Sequence, residues 1–308
     1  MRVLVTGGNG FIGSHLVDAL WDAGHEVGVI DIQDASNTTS RERVIADVRA
    51  DIASDEASEF IHGFLPEVIF HMAAKASVPA SIAHPLVDAE TTLLGTVRVL
   101  DAARRSGTRK IVFSSTAAIY GDPAVEMPIH ERTLPQPISP YGVSKAAAEM
   151  YLQTFYHLYG LKYAILRYAN VYGPRQGVSG EGGVIAIFAQ QFAKQQPIRL
   201  FGDGLHTRDY IFVGDIVRAN LLAADHHSNI LCNVSTGIET TTGSLIHAFE
   251  QITLREVPIM REVERSGDIR KSALSPQLAK ELFGFTAYTE LCDGLQKTYQ
   301  WMLQHGLG

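Results

Sequence analysis

A glycine-rich turn near the N-terminus constrains the fold of this 308-residue chain more than any other feature. The turn Gly7–Gly13 follows a β-branched run, Arg2–Thr6, and leads into a helical pattern at Phe11–Ala23. Glycines at its first, fourth and seventh positions permit a tight turn, close packing of helix on strand, and close approach of the backbone to a ligand. Because a helix N-terminus presents free amides and a positive dipole, this strand–turn–helix unit predicts a site for the diphosphate of a dinucleotide. The alternative is a glycine-rich turn without a ligand.

Short apolar runs alternate with longer helical patterns through the first half of the chain, and Pro85–Ser106 keeps a mostly apolar stripe at a helical period. The predicted strands are Arg2–Thr6, Glu26–Asp31, Arg43–Asp47, Glu67–His71, Lys110–Ser114 and Lys162–Arg167. Apolar strands separated by helices are typical of a parallel sheet that is covered on both faces. We therefore predict an α/β protein built on a doubly wound parallel sheet.

The pattern changes after Asn170, where Gly, Pro and Ser collect at Gly173–Gly183. Beyond it, we predict a short strand at Asp209–Val213 and helices at Val184–Lys194, Ile216–Ala224, Thr242–Thr253, Pro276–Leu282 and Glu290–Gln304. We expect a dinucleotide-binding domain over residues 1–168 and a smaller, interleaved α/β domain over most of residues 169–308, with residues 209–225 returning to the first domain.

Composition excludes several classes of partner. The chain has 26 basic and 33 acidic side chains, and its net charge of −7 argues against nucleic acid or an anionic membrane as partner. Cys232 and Cys292 lie 60 positions apart and form neither a disulfide framework nor a metal motif, and His226 and His227 are expected in a solvated loop rather than on a metal. Because no leader pattern and no uninterrupted apolar run of ~18 residues is visible, we expect a soluble, cytoplasmic protein.

An acidic residue ends the second predicted strand. Asp31 follows Gly13 by 18 residues, where a carboxylate can accept hydrogen bonds from both hydroxyls of an adenosine ribose. No arginine follows in Ile32–Asp34 to neutralise a 2′-phosphate, so NAD is favoured over NADP. Asp47, after the third predicted strand, is placed to reach the adenine edge. The alternative for Asp31 is a solvated acid at a strand end.

A tyrosine and a lysine four positions apart, Tyr141 and Lys145, form the second chemical signal. On a helix these positions share one face, so the phenol and the ammonium can point at one ligand. A free phenol has a pKa near ~10, and a neighbouring ammonium and an oxidised nicotinamide would both lower the pKa by favouring the phenolate. Pro140 supports a helix start at this point. The pair predicts a general base near neutral pH.

Several segments together carry a family resemblance. They are Thr6–Gly13, Phe113–Gly121, Ser139–Lys145, Leu166–Pro174, Phe201–Gly204, Thr207–Tyr210 and Arg265–Asp268, in this order over nearly the whole chain. In them the chain resembles the extended short-chain dehydrogenase/reductases, and among these the NAD-dependent UDP-glucose 4-epimerases. The resemblance implies a Rossmann-type doubly wound parallel sheet with a smaller interleaved α/β substrate domain, a bound NAD and a nucleotide-sugar substrate.

The resemblance also implies roles for single residues. Tyr141 matches the acid/base of the family, Lys145 its partner and a ligand of the nicotinamide ribose, and Thr116 the hydroxyl that binds the sugar 4-oxygen. The implied cofactor ligands are Gly7, Gly10, Phe11, Ile12, Gly13, Asp31, Asp47, Val48, Ala73 and Lys145. The implied substrate ligands are Asn170, Phe201, Arg208, Arg265, Asp268 and Ser272. The alternative for Arg208 and Arg265 is a place in surface loops.

The positions after Thr116 separate the reactions of the family. Related 4,6-dehydratases carry Asp and Glu there, whereas this chain has Ala117 and Ala118, which cannot transfer protons. A 4-keto sugar formed at this site can only take its hydride back, which implies C4 epimerisation of UDP-glucose and UDP-galactose. The alternatives are a nucleotide-sugar 4-ketoreductase, another NAD-dependent nucleotide-sugar epimerase or dehydratase, and an NAD(P)-sensing regulatory protein. The last would be expected to lack part of the Tyr–Lys pair.

Two positions depart from the commoner family pattern, Thr92 and Thr116, and Thr116 keeps the hydroxyl of the serine that it replaces. Thr92 stands where the family usually has an asparagine near the nicotinamide, so that contact is not carried over to this chain. In the family, the residue at the position of Ser272 helps to wall the sugar 2-substituent, and the small side chain of Ser272 then implies room for the acetamido group of UDP-GlcNAc or UDP-GalNAc. The alternative is that Ser272 is a solvated loop residue and that Arg270 or Lys271 shapes the pocket.

The resemblance implies a homodimer. Related proteins pair the helix that begins near Pro85 and the helix that carries Tyr141 as a four-helix bundle. In this chain the second helix carries additional large apolar or aromatic residues, namely Met150, Tyr151, Phe155 and Leu158. The alternative is that these residues belong to the core only.

Overall fold

The computed structural model describes residues 1–34, 41–178, 183–264 and 269–305. Within these ranges the strands are β1 (Arg2–Thr6), β2 (Glu26–Asp31), β3 (Ala46–Arg49), β4 (Val68–His71), β5 (Lys110–Thr116), β6 (Lys162–Tyr168), β7 (Asn170–Tyr172), β8 (Ile198–Phe201), β9 (Thr207–Arg208), β10 (Tyr210–Phe212), β11 (Ile230–Val234), β12 (Thr240–Thr241) and β13 (Ile259–Glu262). The α-helices are α1 (Phe11–Asp22), α2 (Asp55–Phe64), α3 (Val78–Ala83), α4 (Pro85–Asp88), α5 (Gly95–Arg105), α6 (Pro140–Tyr159), α7 (Val184–Lys194), α8 (Val213–Asp225), α9 (Thr242–Thr253), α10 (Gln277–Phe283) and α11 (Leu291–His305).

Seven parallel strands form the central sheet in the order β11-β6-β5-β4-β1-β2-β3. The chain winds outward from β1 through β2 to β3, and then resumes on the other side of β1 with β4. Ligands of doubly wound sheets bind at the carboxyl ends of the strands on either side of such a reversal. The predicted doubly wound parallel sheet is confirmed, and the reversal lies where Gly7 follows β1 and Met72 follows β4.

Several elements differ from the sequence-based predictions, including α2 and α3, which the sequence analysis does not predict. The third strand is not Arg43–Asp47, because residues 41–43 form a 3₁₀ turn and pairing with β2 begins at Ala46. The helix predicted over Pro85–Ser106 is divided into α4, a π-helical turn at Ala89–Leu94, and α5. The 3.6-residue period of the sequence does not predict this division. The sheet also gains β11, a short and mostly apolar run that the sequence analysis does not assign to a strand.

The two faces of the sheet have separate cores because successive side chains of a strand point to opposite faces. On β1, Val3 and Val5 join a cluster with α1 and α8, whereas Leu4 joins a cluster with α2, α5 and α6. This arrangement fixes α1 behind the glycine turn and α6 beside the end of β5. In the described ranges no helix combines the length and the hydropathy that a membrane span would require.

The second half of the chain adds a smaller core between α7, α9 and α11, in which the rings of Phe192 and Phe249 stack with centroids 5.3 Å apart. Three two-stranded pairs surround it: β10 with β7, β12 with β9, and β13 with β8. These short pairs carry the predicted substrate ligands Asn170, Phe201 and Arg208.

Candidate active site

The glycine turn is shaped by close backbone contacts. Gly7 has φ +71°, its amide donates to the carbonyl oxygen of Ile30 at 2.8 Å, and a Cβ there would lie 2.8 Å from the amide nitrogen of Ala73. A Cβ on Gly13 would overlap the carbonyl oxygen of Gly7. Gly10 stands immediately before α1, whose first-turn amides lack acceptors within the helix. The turn therefore presents bare backbone and the positive end of α1 to any anion that binds there.

Apart from Lys145 on α6, the predicted cofactor ligands lie at this turn or on β2 and β3. Asp31 is buried, and its two carboxylate oxygens accept from the amides of Asn9 and Gln33, both at 2.9 Å. An ionised carboxylate has about four acceptor positions, so Asp31 retains capacity for ribose hydroxyls. On β3 at the edge of the sheet, Asp47 is exposed and Val48 is half-buried opposite Ile30. The remaining predicted ligands are at the turn itself: Phe11, Ile12 and Gly13 open α1, and Ala73 faces Gly7.

Tyr141 and Lys145 are both buried on α6, where Ser139 caps the helix by accepting from the amide of Gly142 at 3.2 Å. The Lys145 Nζ donates to the carbonyl oxygen of Ser114 at 2.6 Å and lies 6.0 Å from the centroid of the Tyr141 ring. The amide of Tyr141 also donates to the hydroxyl of Ser81 at 3.2 Å. These bonds hold the Tyr–Lys pair against the carboxyl end of β5.

Thr116 is the last residue of β5, two positions after the carbonyl that Lys145 contacts. Its hydroxyl accepts from the amide of Ala118 at 3.2 Å, which caps the 3₁₀ turn Ala117–Tyr120. The predicted catalytic residues therefore come from two elements that the structure joins directly.

Sequence reasoning missed a buried histidine beside the site. His71 ends β4, and its Nδ1 accepts from the hydroxyl of Thr6 at 2.6 Å. Its Nε2 donates to Thr96, at 2.9 Å, because the Thr96 hydroxyl itself donates to the carbonyl oxygen of Thr92 at 2.6 Å. Complete burial, and secondarily the charge of Lys145, lower the pKa of His71 from 6.5 to about 3. His71 is therefore neutral at physiological pH, in one tautomer, and it joins the strand before the glycine turn to the segment that carries Thr92.

Thr92 occupies the first of the two departures noted in the sequence. It is buried in the π-helical turn, and its hydroxyl accepts from the amide of Lys75 at 3.4 Å. The side chain therefore fastens the π turn to the segment after β4.

A buried carboxylate joins the segment that follows Arg208 to two distant segments of the chain. The carboxylate of Asp209 accepts from the amides of Thr236, Gly237 and Leu274 at 2.9–3.3 Å, and from the Thr236 hydroxyl at 2.6 Å. The adjacent Arg208 is half-buried, and its Nη1 donates to the carbonyl oxygen of Thr207 at 2.7 Å. These contacts fix the backbone on both sides of Arg208.

The other predicted substrate ligands have different environments. Asn170 is exposed at the start of β7, Phe201 is half-buried at the end of β8, and Ser272 is half-buried two residues before Leu274. The amide of Thr207 donates to the carbonyl oxygen of Arg270 at 2.9 Å, which joins the segment of Ser272 to the strand of Arg208. Arg265 and Asp268 lie outside the described residues.

No metal site is evident among the residues that the structure describes, because no group of three or more His, Cys, Asp or Glu side chains converges there. The rings of His226 and His227 lie 4.9 Å apart at the end of α8, and the carbonyl oxygen of His226 accepts from the Lys110 Nζ at 2.6 Å. This histidine pair thus lies near the amino end of β5, opposite the Tyr–Lys pair.

The fold and the site are those of a dinucleotide-binding α/β protein, and comparison with known proteins narrows the class. Residues 3–235 match the NAD dependent epimerase/dehydratase family. A UDP-glucose 4-epimerase from Thermotoga maritima, solved with UDP-glucose, is 41% identical with a TM-score of 0.93 and 99% of each chain covered. A UDP-glucose 4-epimerase from Thermus thermophilus, solved with NAD, is 39% identical with a TM-score of 0.91 and 100% of each chain covered.

A third similar structure carries a different sugar specificity. It is a UDP-N-acetylglucosamine 4-epimerase from Methanobrevibacter ruminantium M1 in complex with UDP-N-acetylmuramic acid, 32% identical, with a TM-score of 0.90 and 98% of each chain covered. The family match spans most of the chain, and the structural matches span nearly all of it. The chain belongs to the NAD-dependent epimerase/dehydratase family.

Proposed function

We propose that this protein interconverts the C4 epimers of a UDP-hexose, UDP-glucose and UDP-galactose, with NAD held as a prosthetic group. One observation carries the proposal: the bond from Lys145 to Ser114 places the Tyr141 helix against the end of β5, where Thr116 is followed by two alanines. The similar enzymes from Thermotoga maritima and Thermus thermophilus support the choice of substrate.

The residues present fit NAD. The glycine turn has no room for a Cβ at Gly7 or Gly13, so a diphosphate can approach its backbone and the first-turn amides of α1, and the Asp31 carboxylate suits a ribose that carries no 2′-phosphate. Gly10, Phe11 and Ile12 would complete the diphosphate site. Bound NAD supplies a reversible hydride acceptor for C4 of the sugar, so no net oxidation occurs.

The side chains of α6 and β5 divide the proton chemistry between them. Tyr141, as phenolate, removes the proton of the sugar 4-hydroxyl and later returns it. The ammonium of Lys145 stabilises that phenolate, and burial strengthens the interaction because little water screens it. The hydroxyl of Thr116 hydrogen-bonds the 4-oxygen in both protonation states, because a hydroxyl can donate and accept.

The two alanines favour epimerisation over dehydration. Ala117 and Ala118 are half-buried in the 3₁₀ turn directly after Thr116. A dehydratase needs an acid and a base at C5 and C6 of the sugar, and methyl side chains supply neither. The 4-keto sugar is therefore retained until it is reduced again at C4. A 4-ketoreductase shares this geometry and differs in using an external reductant.

Substrate anchoring rests on arginine. We propose that Arg208 and Arg265 bind the diphosphate, because a guanidinium forms paired, charge-assisted bonds to phosphate oxygens. Two such groups explain how a protein of net charge −7 binds a polyanion. Asn170, Phe201 and Asp268 are proposed to hold the uridine side of the substrate, and the sugar turns about the fixed diphosphate to present either face of C4.

N-acetylated sugars are a second candidate substrate class. The half-buried Ser272 has a small side chain, and the similar enzyme from Methanobrevibacter ruminantium acts on UDP-N-acetylglucosamine. We propose that Ser272 leaves space for the acetamido group at C2 and that its hydroxyl donates to the acetyl oxygen.

We also propose a homodimer through α4, α6 and the π turn between α4 and α5. Large apolar side chains are exposed along these elements, at Leu86 (77%), Leu94 (54%), Met150 (69%) and Leu158 (60%). Pairing two copies would remove this area from water. Light scattering at micromolar concentration tests the pairing, and a monomer of about 34 kDa, close to the chain mass of 33.6 kDa, would refute it.

The deciding experiment uses purified protein and UDP-galactose with no added cofactor. We expect UDP-glucose to form until the two sugars reach equilibrium, and acid extraction of the same protein to release NAD. The Tyr141→Phe variant, which lacks the proposed acid/base, is the negative control for this assay. Dependence on added NADPH with net reduction of the sugar would instead identify a ketoreductase, and release of water from the sugar would identify a dehydratase.

A further inference from the structure

A buried ion pair lies directly behind the proposed catalytic residues. Glu149 follows Tyr141 and Lys145 on the same face of α6, at successive intervals of four residues, and is only 3% exposed. Arg167 on β6 binds it with a paired fork, Nε to Oε1 at 3.1 Å and Nη2 to Oε2 at 2.7 Å. The side chains of Arg167 and Glu149, taken alone, are also almost completely buried, with 5% and 4% of their areas exposed.

The same carboxylate holds the strand that ends at Thr116. The hydroxyl of Ser115 donates to Oε1 of Glu149 at 2.5 Å, while Lys145 donates to the carbonyl oxygen of Ser114. Helix α6 is thus tied to two consecutive residues of β5 through side chains one helical turn apart. In addition to the core packing of α6, these two polar ties to one strand restrict both the rotation of the helix and its position along the strand.

The guanidinium extends the network towards the rest of the sheet. The Arg167 Nη1 donates to the hydroxyl of Tyr120 at 2.8 Å, and that hydroxyl donates to the Oδ1 of Asn233 on β11 at 2.8 Å. Asn233 in turn donates to the carbonyl oxygen of Ile129 at 3.0 Å. The 3₁₀ turn after Thr116 is therefore held from its far end by the same ion pair.

We propose that Glu149 and Arg167 are positioning residues that set the register of α6 against β5, and with it the approach of Tyr141 and Lys145 to the substrate hydroxyl beside Thr116. This inference rests on the proposed epimerase function. Neither residue contacts the substrate; both act through Ser115 and α6.

Stability alone is a poor reason to keep such a pair. Desolvation of two buried charges offsets much of their attraction, and apolar replacements of similar volume are often neutral or stabilising. Misplacement of a reacting group by about 1 Å, in contrast, can reduce a rate by about a hundredfold. Burial lowers the pKa of Arg167, but the hydrogen bonds and charge of Glu149 outweigh burial and raise it, so the guanidinium stays charged.

The test replaces the pair without changing net charge. Glu149→Leu combined with Arg167→Met removes one negative and one positive charge together with the acceptor of the Ser115 hydroxyl, so the electric field at Tyr141 changes little. The matched control is Lys110→Met, because Lys110 is a fully buried cation at the amino end of β5 and its Nζ donates to the carbonyl oxygens of Ala223, His226 and Ser228. The control therefore removes a buried charge from β5, the strand to which α6 is tied, but at the end of that strand that is far from the site.

Steady-state kinetics, NAD content and the titration of Tyr141 are compared between the NAD-loaded variants and the parent. We expect the double variant to lose about 10- to 100-fold in kcat for UDP-galactose, with KM and NAD content within about threefold of the parent. We also expect the titration of Tyr141, followed by tyrosinate absorbance and assigned with Tyr141→Phe, to move to higher pH. A shift of α6 against β5 breaks the bond from Lys145 to Ser114, which holds the ammonium beside the ring. Lys110→Met is expected to change neither kcat nor the titration.

The proposal is wrong if the double variant changes kcat no more than Lys110→Met does, or if NAD is lost and KM rises instead. Ser115→Ala removes only one tie and keeps the ion pair, so it provides the same comparison if the double variant fails to fold; a smaller loss of kcat in the same direction is expected. If the parent protein does not epimerise UDP-galactose, the proposed function fails, whereas the Tyr141 titration still tests the positioning role.

Discussion

The Nζ of Lys145 lies 2.6 Å from the carbonyl oxygen of Ser114, which bonds the helix that carries Tyr141 directly to the strand that ends at Thr116. The two elements are separate in sequence, and the long segment between them includes exposed loop residues. Because Lys145 is 1% exposed, its charge-assisted bond is poorly screened and holds the two elements with little play. The proposed chemistry depends on this junction.

Replacement of Tyr141 by phenylalanine is expected to lower kcat by about 10²–10⁴-fold, because it removes proton transfer and leaves the ring in place. KM for UDP-galactose should change little, since substrate anchoring is assigned to the diphosphate and uridine ligands. Steady-state kinetics check both values. Tyr151→Phe is the matched control, because Tyr151 lies on the same helix and is 43% exposed. Near-normal turnover in Tyr141→Phe would contradict the assignment, and Thr116→Ala should cost less than Tyr141→Phe.

Replacement of Gly13 by alanine is expected to destabilise the protein by about 1–3 kcal/mol and to reduce its NAD content, because the new Cβ overlaps the carbonyl oxygen of Gly7. Denaturant unfolding and cofactor extraction measure the two effects. Gly63→Ala is the control, since Gly63 lies in α2 and its Cβ position has no atom within 4 Å apart from its chain neighbours and the backbone of its own helix. That variant should be as stable as the parent or more so. Retention of full stability and NAD by Gly13→Ala would show that the turn can open.

Elements of the fold were predictable from the sequence where a single local pattern determines them. The strands β1 and β2 were predicted at their observed bounds because both are short apolar runs followed by turn signals. Strand β3 was misplaced by a few residues because it lies at the sheet edge, where alternating exposure weakens the apolar pattern. Strand β11 was missed because its place depends on pairing with β6, a contact between distant parts of the chain.

The site was predictable only for residues whose chemistry is visible in a local motif. Tyr141 and Lys145 are identified by their helical spacing, and Gly7–Gly13 is identified by its position between a strand and a helix. Glu149 and Arg167 carry no such signal, because their pairing arises from tertiary contact between α6 and β6. The position of His71 at the end of an apolar strand could have indicated that it lies near the site. Its partners Thr6 and Thr96 are identified only by the structure.

The stability of the protein should depend on pH through His71. Its pKa is about 3 in the folded protein and near 6.5 in the unfolded chain, so the unfolded chain binds the extra proton first as pH falls. Stability from the neutral imidazole is therefore complete above about pH 6.5 and is lost progressively towards pH 3. We expect the free energy of unfolding of the parent, relative to His71→Asn, to fall by about 1.4 kcal/mol per pH unit within this window.

Denaturant unfolding between pH 4 and pH 8 supplies this comparison. His62→Asn on the exposed surface of α2 keeps the buried imidazole, so its stability should retain the pH dependence of the parent. A difference between the parent and His71→Asn that is the same at every pH would mean that the pKa of His71 is the same in the folded and the unfolded protein, and would contradict the prediction.

The last prediction concerns the sugar 2-substituent and the variant Ser272→Tyr. The backbone beside Ser272 is held on both sides, because the carbonyl oxygen of Arg270 accepts from Thr207 and the amide of Leu274 donates to Asp209. A larger side chain therefore cannot be accommodated by movement of the segment. Overlap with an acetamido group costs about 1–3 kcal/mol or more, which corresponds to roughly 10- to 200-fold in kcat/KM for UDP-N-acetylglucosamine.

We expect kcat/KM for UDP-glucose in Ser272→Tyr to stay within about threefold of the parent, because its 2-hydroxyl is much smaller than an acetamido group. Ser272→Ala separates size from hydrogen bonding: it keeps the space and removes only the proposed bond to the acetyl oxygen, so it should cost the N-acetyl substrate less than tyrosine does. Equal losses for both sugars in Ser272→Tyr, or no N-acetyl activity in the parent, would exclude Ser272 as the residue that sets this specificity, and would favour Arg270 or Lys271.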